Sequence, residues 1–506
     1  MPIAVTALVI AFLLSYFVTP IVRQLAVRFD FVDRPDGRRK IQAQAVSLGG
    51  GVSLVICTFA VVLLACALWG PDLIFMTARR LSLIGLAVAS LLVAIVGVLD
   101  DGRGIRGSYK LLWQVIAASL VMGTGFSVPS IILLGVHIPL GMLGSAFTVI
   151  WLLGAINSFN LIDGVDGLAG TVGVIFSATL GIMALMSYQY LDAIIAFALA
   201  GALLGFLRYN YAPATIYLGD AGSMFIGLVL GTIALRCSMK QAASLAFAVP
   251  IAIWAIPMFD SLAAVMRRKL TGRSIYATDR GHIHHVLLTR GLNATQAVGL
   301  IGALCLVTSA GAVLSLYYEK EWIGIASVLS VIALLIFTRM FGHVELLLLN
   351  KRLFGLGRFV SPFASDENVS QTSVNLQGDR SWEDLWGALV ESAERFHLVK
   401  MRLNLAMPKL HEDFFATWKR AGNHHRDLLW QVDIPLVVDG LPVGRLSVTG
   451  LQNADSASGE MSQFIDFVES LESQLRSIIQ HELAEHESTE VKDEPEDEAV
   501  TPNPMS

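Results

Sequence analysis

Long runs of apolar residues recur along the first two thirds of this sequence. A helix of about 20 apolar residues crosses the ~30 Å hydrocarbon core of a bilayer. Inside that core every backbone polar group needs a partner, which a helix supplies within the segment itself. Eleven runs are long enough to span: 3–22, 48–69, 81–99, 111–127, 141–156, 168–187, 190–207, 219–236, 243–266, 295–317 and 322–341. The sequence therefore predicts a polytopic all-α membrane protein with about 11 transmembrane helices.

The composition agrees with a membrane protein, because 54% of the residues are hydrophobic and only 15% are charged. The first run lacks the cleavage site of a signal peptide and is too long for one, so it is predicted to be a span. The short run 128–140 is predicted as a surface loop or hairpin. The cysteines lie in apolar runs without metal-ligand spacing, which predicts neither disulfides nor a zinc site. We expect the lipid bilayer as a partner and no nucleic acid.

The connections between the runs predict the orientation, because cytoplasmic loops of membrane proteins carry an excess of Lys and Arg. Sixteen such residues fall in one alternating set of connections: 23–47, 100–110, 157–167, 208–218 and 267–294. The other set holds only Arg79, Arg80, Lys240 and Lys320. We therefore expect the first set and the C-terminal part in the cytoplasm, and the N-terminus outside.

A polar stretch interrupts two apolar runs and carries Asn157, Asn160, Asp163 and Asp166 at intervals of three residues. A carboxylate at bilayer depth costs roughly 2.5–3.5 kcal/mol or more, so this stretch belongs at the membrane edge or in a water-filled cavity. Glycines between the polar residues allow a ligand phosphate or another backbone to come close. A polar hinge between two membrane helices is the alternative that stays open at this point.

Carboxylates mark two more span ends in the predicted cytoplasmic set. Asp100 and Asp101 end the third run and Lys110 follows, whereas Asp220 stands just after Gly219 at the start of the eighth run. Adjacent carboxylates repel one another unless a cation offsets them. Mg²⁺ would do so, because it prefers hard oxygen ligands together with substrate phosphates. Solvated helix caps and first-turn acids remain the alternative.

The last large connection of this set contains Arg280 and, from two residues later, His282, His284 and His285. Three histidines within four residues suit either zinc or a clamp on a pyrophosphate or sugar. Neither a cysteine nor a distant histidine pair accompanies them on this side, which favours an electropositive clamp. In the first connection, a basic cluster at 38–40 precedes the glycines 49–51 and suits either phosphate binding or membrane anchoring.

Together these motifs resemble the polyprenyl-phosphate N-acetylhexosamine-1-phosphate transferases, bacterial membrane enzymes related to phospho-N-acetylmuramoyl-pentapeptide transferase. The resemblance covers roughly residues 1–341 and follows the family's order of motifs: Asp33-x-Pro35, Leu99-Asp100-Asp101, Asn157-x-x-Asn160-Leu-Ile-Asp163-Gly-x-Asp166-Gly-Leu, Gly219-Asp220-x-Gly222-Ser223 and Asp279-Arg280-x-His282-Ile-His284-His285. The form of the histidine motif resembles the hexosamine branch of the family.

The resemblance implies transfer of a sugar 1-phosphate, expected to be N-acetylglucosamine 1-phosphate, from a UDP-N-acetylhexosamine to polyprenyl (undecaprenyl) phosphate. UMP would be released with Mg²⁺ or Mn²⁺ as cofactor, as the initiating step of lipid-linked cell-envelope polysaccharide synthesis at a bacterial inner membrane. By the same resemblance, Asp220 and Asn160 would hold the metal, and Asp100, Asp101 and Asp163 would be catalytic. The residues expected to bind substrate are Asn157, Asp166, Lys110, Arg280, His282, His284 and His285.

One departure from the family pattern bears on activity. Ile41 stands where the family usually has a histidine, and Arg39 replaces a lysine. A catalytically lapsed membrane anchor for the C-terminal part therefore stays open as an alternative. So does a cation-coupled polytopic transporter, although its acids would be expected nearer the middle of the bilayer.

Beyond residue 341 the sequence predicts a linker over 342–380, a small cytoplasmic α+β domain over 381–484 and an acidic disordered tail over 485–506. In the domain, helices are predicted at 381–397, 409–421 and 459–484, and strands at 398–407, 428–438 and 442–449. Asp439-Gly440 between the last two strands is a strong hairpin signal. The domain leaves open a protein partner, and the whole chain a homodimer.

Overall fold

The computed structural model of the chain divides into two compact units. The membrane unit contains Met1–Lys269 and Arg273–His343, and the C-terminal unit contains Leu270–Gly272 and Val344–Ser506. Each unit has its own apolar core. The described residues are 2–34, 45–74, 77–124, 126–239, 244–271, 281–343, 345–347, 349, 369–377, 382–407, 412–420, 429–438, 441–451, 462 and 464–469.

Helices form most of the described part of the membrane unit. They are α1 (Pro2–Arg28), α2 (Gly50–Ile74), α3 (Thr77–Arg103), α4 (Gly107–Gly123), α5 (Leu143–Ile162), α6 (Leu168–Met186), α7 (Tyr190–Asn210), α8 (Gly219–Ser238), α9 (Ala248–Thr271), α10 (Ile283–Thr289), α11 (Ala294–Tyr317) and α12 (Glu321–Phe337). Nine of these described helices are long and apolar enough to cross a membrane. The chain is therefore a multi-span membrane protein.

Two of the eleven predicted spans are shorter than the prediction required. The runs at 111–127 and 322–341 form α4 and α12, which have 17 residues each. At 1.5 Å per residue such a helix reaches only about 25 Å. The apolar residues after Gly123 leave α4 and lead into a strand, so apolarity alone overestimated the length of the helix.

Short strands lie in the connections of the membrane unit. They are β1 (Val32–Asp33), β2 (Val46–Ser47), β3 (Ser130–Leu133), β4 (Val136–Pro139) and β5 (Ser244–Ala246). The strands β3 and β4 form the hairpin that the sequence predicted for 128–140, and β5 joins β3 in parallel. Because β5 takes the first residues of the run predicted to span from 243, α9 begins only at Ala248.

The C-terminal unit contains a five-stranded antiparallel sheet and one longer described helix. Its elements are β6 (Val369–Gln377), α13 (Glu383–Arg395), β7 (Leu398–Met407), β8 (Glu412–Arg420), β9 (Leu429–Val438) and β10 (Leu441–Leu451). The strand order is β6-β8-β7-β10-β9, with β9 and β10 paired as the predicted hairpin. The described residues 464–469 are helical, within the helix predicted at 459–484.

Two predictions for the C-terminal unit were wrong. The helix predicted at 409–421 is the strand β8, in which Phe414, Ala416 and Trp418 join the core at every second position. That spacing of two is typical of a strand with one buried face. The predicted linker 342–380 contains β6, which forms the edge of the sheet beside β8. Its polar, hydroxyl-rich sequence carried too little apolar character to indicate a strand.

The helix α8 is the most enclosed of the described spans. Within its most apolar 18 residues, 94% are buried, compared with 22% for the peripheral α1. It packs against α2, α3 and α5. A helix surrounded by protein in this way has a fixed N-terminus, and Asp220 stands in its first turn.

Glycines bring two neighbouring helices into backbone contact with the first turn of α8. An added Cβ at Gly97 in α3 would overlap the backbone of Ala221, and one at Gly51 in α2 would overlap the backbone of Gly222. Small residues allow such close approach between membrane helices. The site at the start of α8 therefore depends on residues of α2 and α3 that carry no functional group.

We expect Gly97→Ala to destabilise the purified protein, because its methyl group has no space beside Ala221. Overpacking of this kind typically costs about 1–3 kcal/mol, which lowers the melting temperature in a thermal unfolding assay. The matched control is Gly299→Ala in α11, where no heavy atom lies within 4 Å of the added Cβ. Equal melting temperatures for the two variants would contradict the close packing.

Candidate active site

Connections from distant parts of the sequence meet at the start of α8. The backbone N–H of Tyr217 donates to the carbonyl of Ser47 at 2.9 Å, and the N–H of Gly50 donates to the carbonyl of Tyr217 at 3.0 Å. The described part of the first connection therefore lies against the segment that leads into α8. These bonds join two of the loops that the sequence grouped on one side.

Asp101, at the end of α3, binds the N-terminus of α8. Its Oδ1 accepts a hydrogen bond from the backbone N–H of Asp220 at 2.9 Å. Helix N-termini have free N–H groups and a partial positive charge, so a carboxylate is favourable there. Gly219 adopts a φ of +70°, and a Cβ at this position would lie 2.5 Å from Asp101 Oδ2. Only glycine therefore leaves room for this carboxylate.

The Lys110 ammonium group lies between oxygen atoms from three other helices. Its Nζ is 2.9 Å from Asp100 Oδ2, donates to Asn160 Oδ1 at 3.3 Å and forms an ion pair with Asp220 Oδ2. The Lys110 and Asp100 side chains are each only 14% exposed. The backbone N–H of Ile105 donates to Asp100 Oδ1 at 2.6 Å, which fixes that carboxylate. Lys110 thus offsets the charge of two carboxylates that would otherwise repel.

The two predicted asparagines of α5 have different surroundings. Asn160 donates to Asp220 Oδ1 at 2.6 Å and to Ser223 Oγ at 3.1 Å, so it belongs to the cluster around Lys110. Asn157 lies one turn earlier and donates to Gln114 Oε1 at 2.8 Å. It therefore links α5 to α4 beneath the cluster.

The turn between α5 and α6 contains the two remaining predicted carboxylates. Burial raises the pKa of the Asp163 carboxyl well above its usual range, and the carboxylates of Asp220, Asp101 and Asp166 raise it further. No described residue donates a hydrogen bond to Asp163. Asp163 therefore takes up a proton at higher pH than an ordinary carboxyl group.

Asp166 is tied to the segment after α7, because its Oδ2 accepts from the backbone N–H of Ala214 at 2.9 Å. Asn210, which the sequence did not single out, binds the same two segments. Its Oδ1 accepts from the N–H of Gly167 at 3.2 Å, and its Nδ2 donates to the carbonyl of Ile216 at 3.0 Å. Only 4% of Asn210 is exposed. The signal in the sequence that points to Asn210 is an amide at the end of an apolar run.

The histidine motif adjoins this turn. The ring of His284 packs so closely on Gly164 that a Cβ there would overlap Nε2. Burial lowers the pKa of His284 well below its usual range, and His285 and His282 lower it further. His284 is therefore neutral at pH 7 and offers a hydrogen bond rather than a charge. The prediction of an electropositive clamp is corrected at His284, because burial disfavours the charged form of this central imidazole.

Asp260 holds the start of the histidine motif, and the sequence reasoning missed it. It lies in α9 and is 1% exposed. Its Oδ1 accepts from the backbone N–H of Ile283 at 2.9 Å, and its Oδ2 lies 3.0 Å from Nδ1 of His282. A carboxylate inside a run predicted to span was a signal of function in itself.

Some predicted features lie outside the described residues. These are Arg280, the basic cluster at 38–40 and the departure from the family pattern at Ile41.

The structure brings together Asp100, Asp101, Lys110, Asn160 and Asp220 as one cluster. Asp163, Asp166 and the histidines form its border, whereas Asn157 supports it from one turn away.

Comparisons with known proteins point to one family. Residues 83–238 match glycosyl transferase family 4. The chain is 32% identical over 345 residues to the probable undecaprenyl-phosphate N-acetylglucosaminyl 1-phosphate transferase of Bacillus subtilis (strain 168), with 67% of this chain and 91% of the relative covered. It is 31% identical over 360 residues to the decaprenyl-phosphate N-acetylglucosaminephosphotransferase of Mycolicibacterium smegmatis, with 64% of this chain and 86% of the relative covered. An undecaprenyl-phosphate alpha-N-acetylglucosaminyl 1-phosphate transferase of Salmonella typhi is 28% identical over 334 residues, with 63% of this chain and 86% of the relative covered.

We expect Asp260→Asn to slow UMP release from a UDP-sugar, the activity that the resemblance implies, while the protein stays folded. The amide can still accept from Ile283, but it no longer binds the His282 ring with a charge. Hydrogen bonds to charged groups contribute about 1.5–3 kcal/mol, equivalent to roughly 10- to 150-fold in rate. Ser261→Ala, the next residue in α9, is the control and should retain the rate.

A second variant separates positioning from general damage. If Asp260 acts through His282, then Asp260→Asn should add little to the loss caused by His282→Ala. Full additivity of the two effects, or an unchanged rate in Asp260→Asn, would contradict the assignment.

Proposed function

The chain belongs to glycosyl transferase family 4, and we propose that it transfers N-acetylglucosamine 1-phosphate from UDP-N-acetylglucosamine to a polyprenyl phosphate, with release of UMP. The names of the relatives as transferases acting on undecaprenyl or decaprenyl phosphate support the acceptor and the sugar. The observation that carries the proposal is the cluster of Asp100, Asp220 and Asn160 around Lys110. Such a cluster suits chemistry between two phosphates at the edge of a membrane.

In the reaction, an oxygen of the lipid phosphate attacks the phosphorus that carries the sugar. The new P–O bond joins lipid and sugar phosphate into a diphosphate, and the P–O bond to uridylate breaks as UMP departs. Both reactants are anions, and the leaving group gains charge. Catalysis therefore depends mainly on positioning the reactants and neutralising charge.

Lys110 is the described cation best situated to neutralise that charge. In the resting chain it is held by Asp100 and Asp220, so it is fixed beside the site before substrate arrives. A fixed charge needs no reorganisation during the reaction, which is the basis of electrostatic preorganisation. We expect Lys110 to exchange one carboxylate partner for a substrate phosphate.

Asp163 is our candidate for accepting the proton of the lipid phosphate. Its pKa is raised, so it binds a proton at higher pH than an ordinary carboxyl, and it lacks a described hydrogen-bond donor. Asp100 and Asp101, which the sequence also made candidates for this role, each use one oxygen to bind a backbone N–H. These bonds suit Asp100 and Asp101 to holding the site together.

The Mg²⁺ or Mn²⁺ that the family implies agrees in kind with the oxygen donors of this site. Among the described residues no group of three His, Cys, Asp or Glu side chains is arranged as a metal site. However, oxygens of Asp220, Asn160 and Asp100 surround one ammonium group, and Asp101 Oδ2 is buried without a hydrogen-bond partner among the described residues. We propose that Asp220 and Asn160 hold the metal, which when bound supplies positive charge to the diphosphate.

The border of the cluster suits the rest of the donor. Asp166 lies in the α5–α6 turn, which His284 contacts, and we propose that this region holds the nucleotide and diphosphate. Asp260 holds His282 in place there. The neutral His284 would contribute a hydrogen bond to the substrate and not a charge.

We also propose that the site faces the cytoplasm of a bacterial cell, at its inner membrane, with the N-terminus outside. The excess of Lys and Arg in the connections that meet at the site supports this orientation. The bacterial relatives support the location. Their names favour a transferase over a transporter, and the intact cluster of acids favours an active enzyme over a lapsed anchor.

The test is UMP release by the purified protein with undecaprenyl phosphate and a panel of UDP-sugars in Mg²⁺. We expect UDP-N-acetylglucosamine to give the highest rate and a lipid-linked sugar diphosphate as product. The matched control is Asp220→Asn, which keeps the size of the side chain, removes its charge and should lose most of the activity. Lack of turnover with every UDP-N-acetylhexosamine, or full activity of Asp220→Asn, would contradict the proposal.

A further inference from the structure

The sheet of the C-terminal unit has two unlike faces. Met401, Leu403 and Leu405 of β7 point into the apolar core, together with their neighbours in β8 and β10. The alternate residues of β7 therefore lie on the opposite face, because side chains of a strand alternate between the two faces. We call this second face, which carries Lys400, Arg402, Lys419 and Arg445, the basic face.

The pairing register gathers these basic residues. Lys400 stands directly opposite Lys419, and Arg402 follows two residues after Lys400 on the same strand. Arg445 stands opposite Asn404, one further step along the same face. The register also places the acid Asp433 on this face, opposite Ser447. Among the side chains that the structure describes, cations therefore outnumber acids on this face.

Lys400 lies among like charges, which are unfavourable at neighbouring positions of an antiparallel pair. The pKa of Lys400 is lowered by burial and by the neighbouring Arg402 and Lys419. The Nε of Arg402 is buried without a hydrogen-bond partner among the described residues. These features indicate a surface that is suited to an anionic partner.

Hydroxyl groups lie between the cations. The partners of Arg402 in the register are Thr417 on one side and Ser447 on the other, and Thr449 stands opposite Lys400. The hydroxyl of Thr417 donates to the carbonyl of Met401, whereas the hydroxyls of Ser447 and Thr449 add hydrogen-bond donors to the positive charge. A carboxylate-rich chain could therefore be bound by ion pairs and hydrogen bonds together.

The chain itself carries a segment of complementary charge. Residues 482–498 contain nine Asp or Glu residues and one Lys, Lys492. Glu469 is the last described helical residue, and the twelve residues 470–481 separate it from Glu482. A connection of that length reaches at most about 40–45 Å when extended, well beyond the ~13 Å radius of gyration of a 100-residue domain. The segment can therefore reach the basic face.

We propose that the acidic segment 482–498 binds the basic face of the sheet in the same chain. The tether keeps the segment at a high effective concentration near this face, so that several weak ion pairs are sufficient for binding. Because the pairs lie at the surface, salt should weaken the contact.

The experiment uses the full-length protein in detergent, with the photo-crosslinker p-benzoylphenylalanine at Gln431. This residue is exposed and stands opposite Thr449, two strands or about 10 Å from Lys400. We expect mass spectrometry to locate the crosslinks in 482–498 at low salt. The yield should fall at least fivefold in 0.5 M NaCl and likewise in Lys400→Glu.

The matched control is Arg395→Glu, which makes the same change of charge at an exposed position of α13, the helix on the apolar side of the sheet. It should leave the yield unchanged. Mixing isotopically labelled and unlabelled chains separates links within a chain from links between copies. Links to another copy, to anionic lipid in nanodiscs or to other segments would overturn the proposal, as would a yield that Lys400→Glu does not reduce.

Discussion

The ion pairs of Lys110 with Asp100 and Asp220 are the interaction on which the site depends. Carboxylates at the ends of α3 and α8 lie close enough to repel, and both side chains are largely buried, which weakens screening by water. The ammonium group of Lys110, supplied by α4, offsets this repulsion. The same arrangement makes the site ready for phosphates, because one fixed cation already stands among oxygen ligands.

The position of these charges follows from packing that involves no charged group. Gly51 and Gly97 let α2 and α3 touch the backbone of α8, which fixes the first turn of α8 and with it Asp220. Asp101 then binds the N–H of Asp220 across this contact. Helix packing and electrostatics thus act on the same turn, and a change in either one should affect the other.

Much of the site could be predicted from the sequence, because carboxylates and amides at span ends are costly unless they serve a function. Asp100, Asp220 and Asn160 meet as expected. The different surroundings of Asn157 could not be predicted, because they depend on its hydrogen bond to Gln114 of another helix. The length of the run 243–266 predicts only a span, and its one acid, Asp260, is the signal of a further role. In the C-terminal unit, the apolar content of β8 favours a helix, and only its spacing of two indicates a strand.

The central claim is that the Lys110 ammonium neutralises the carboxylates of Asp100 and Asp220, so that its charge opposes binding of the divalent cation that we propose for Asp220 and Asn160. The most direct test is Mn²⁺ binding by Lys110→Gln, measured by electron paramagnetic resonance without substrate, with Arg290→Gln as a control away from the cluster. Removing a charge about 4 Å away changes binding by about 1–4 kcal/mol, so Mn²⁺ should bind Lys110→Gln at least roughly fivefold more tightly than the unaltered protein. Unchanged or weaker binding by Lys110→Gln would contradict the claim.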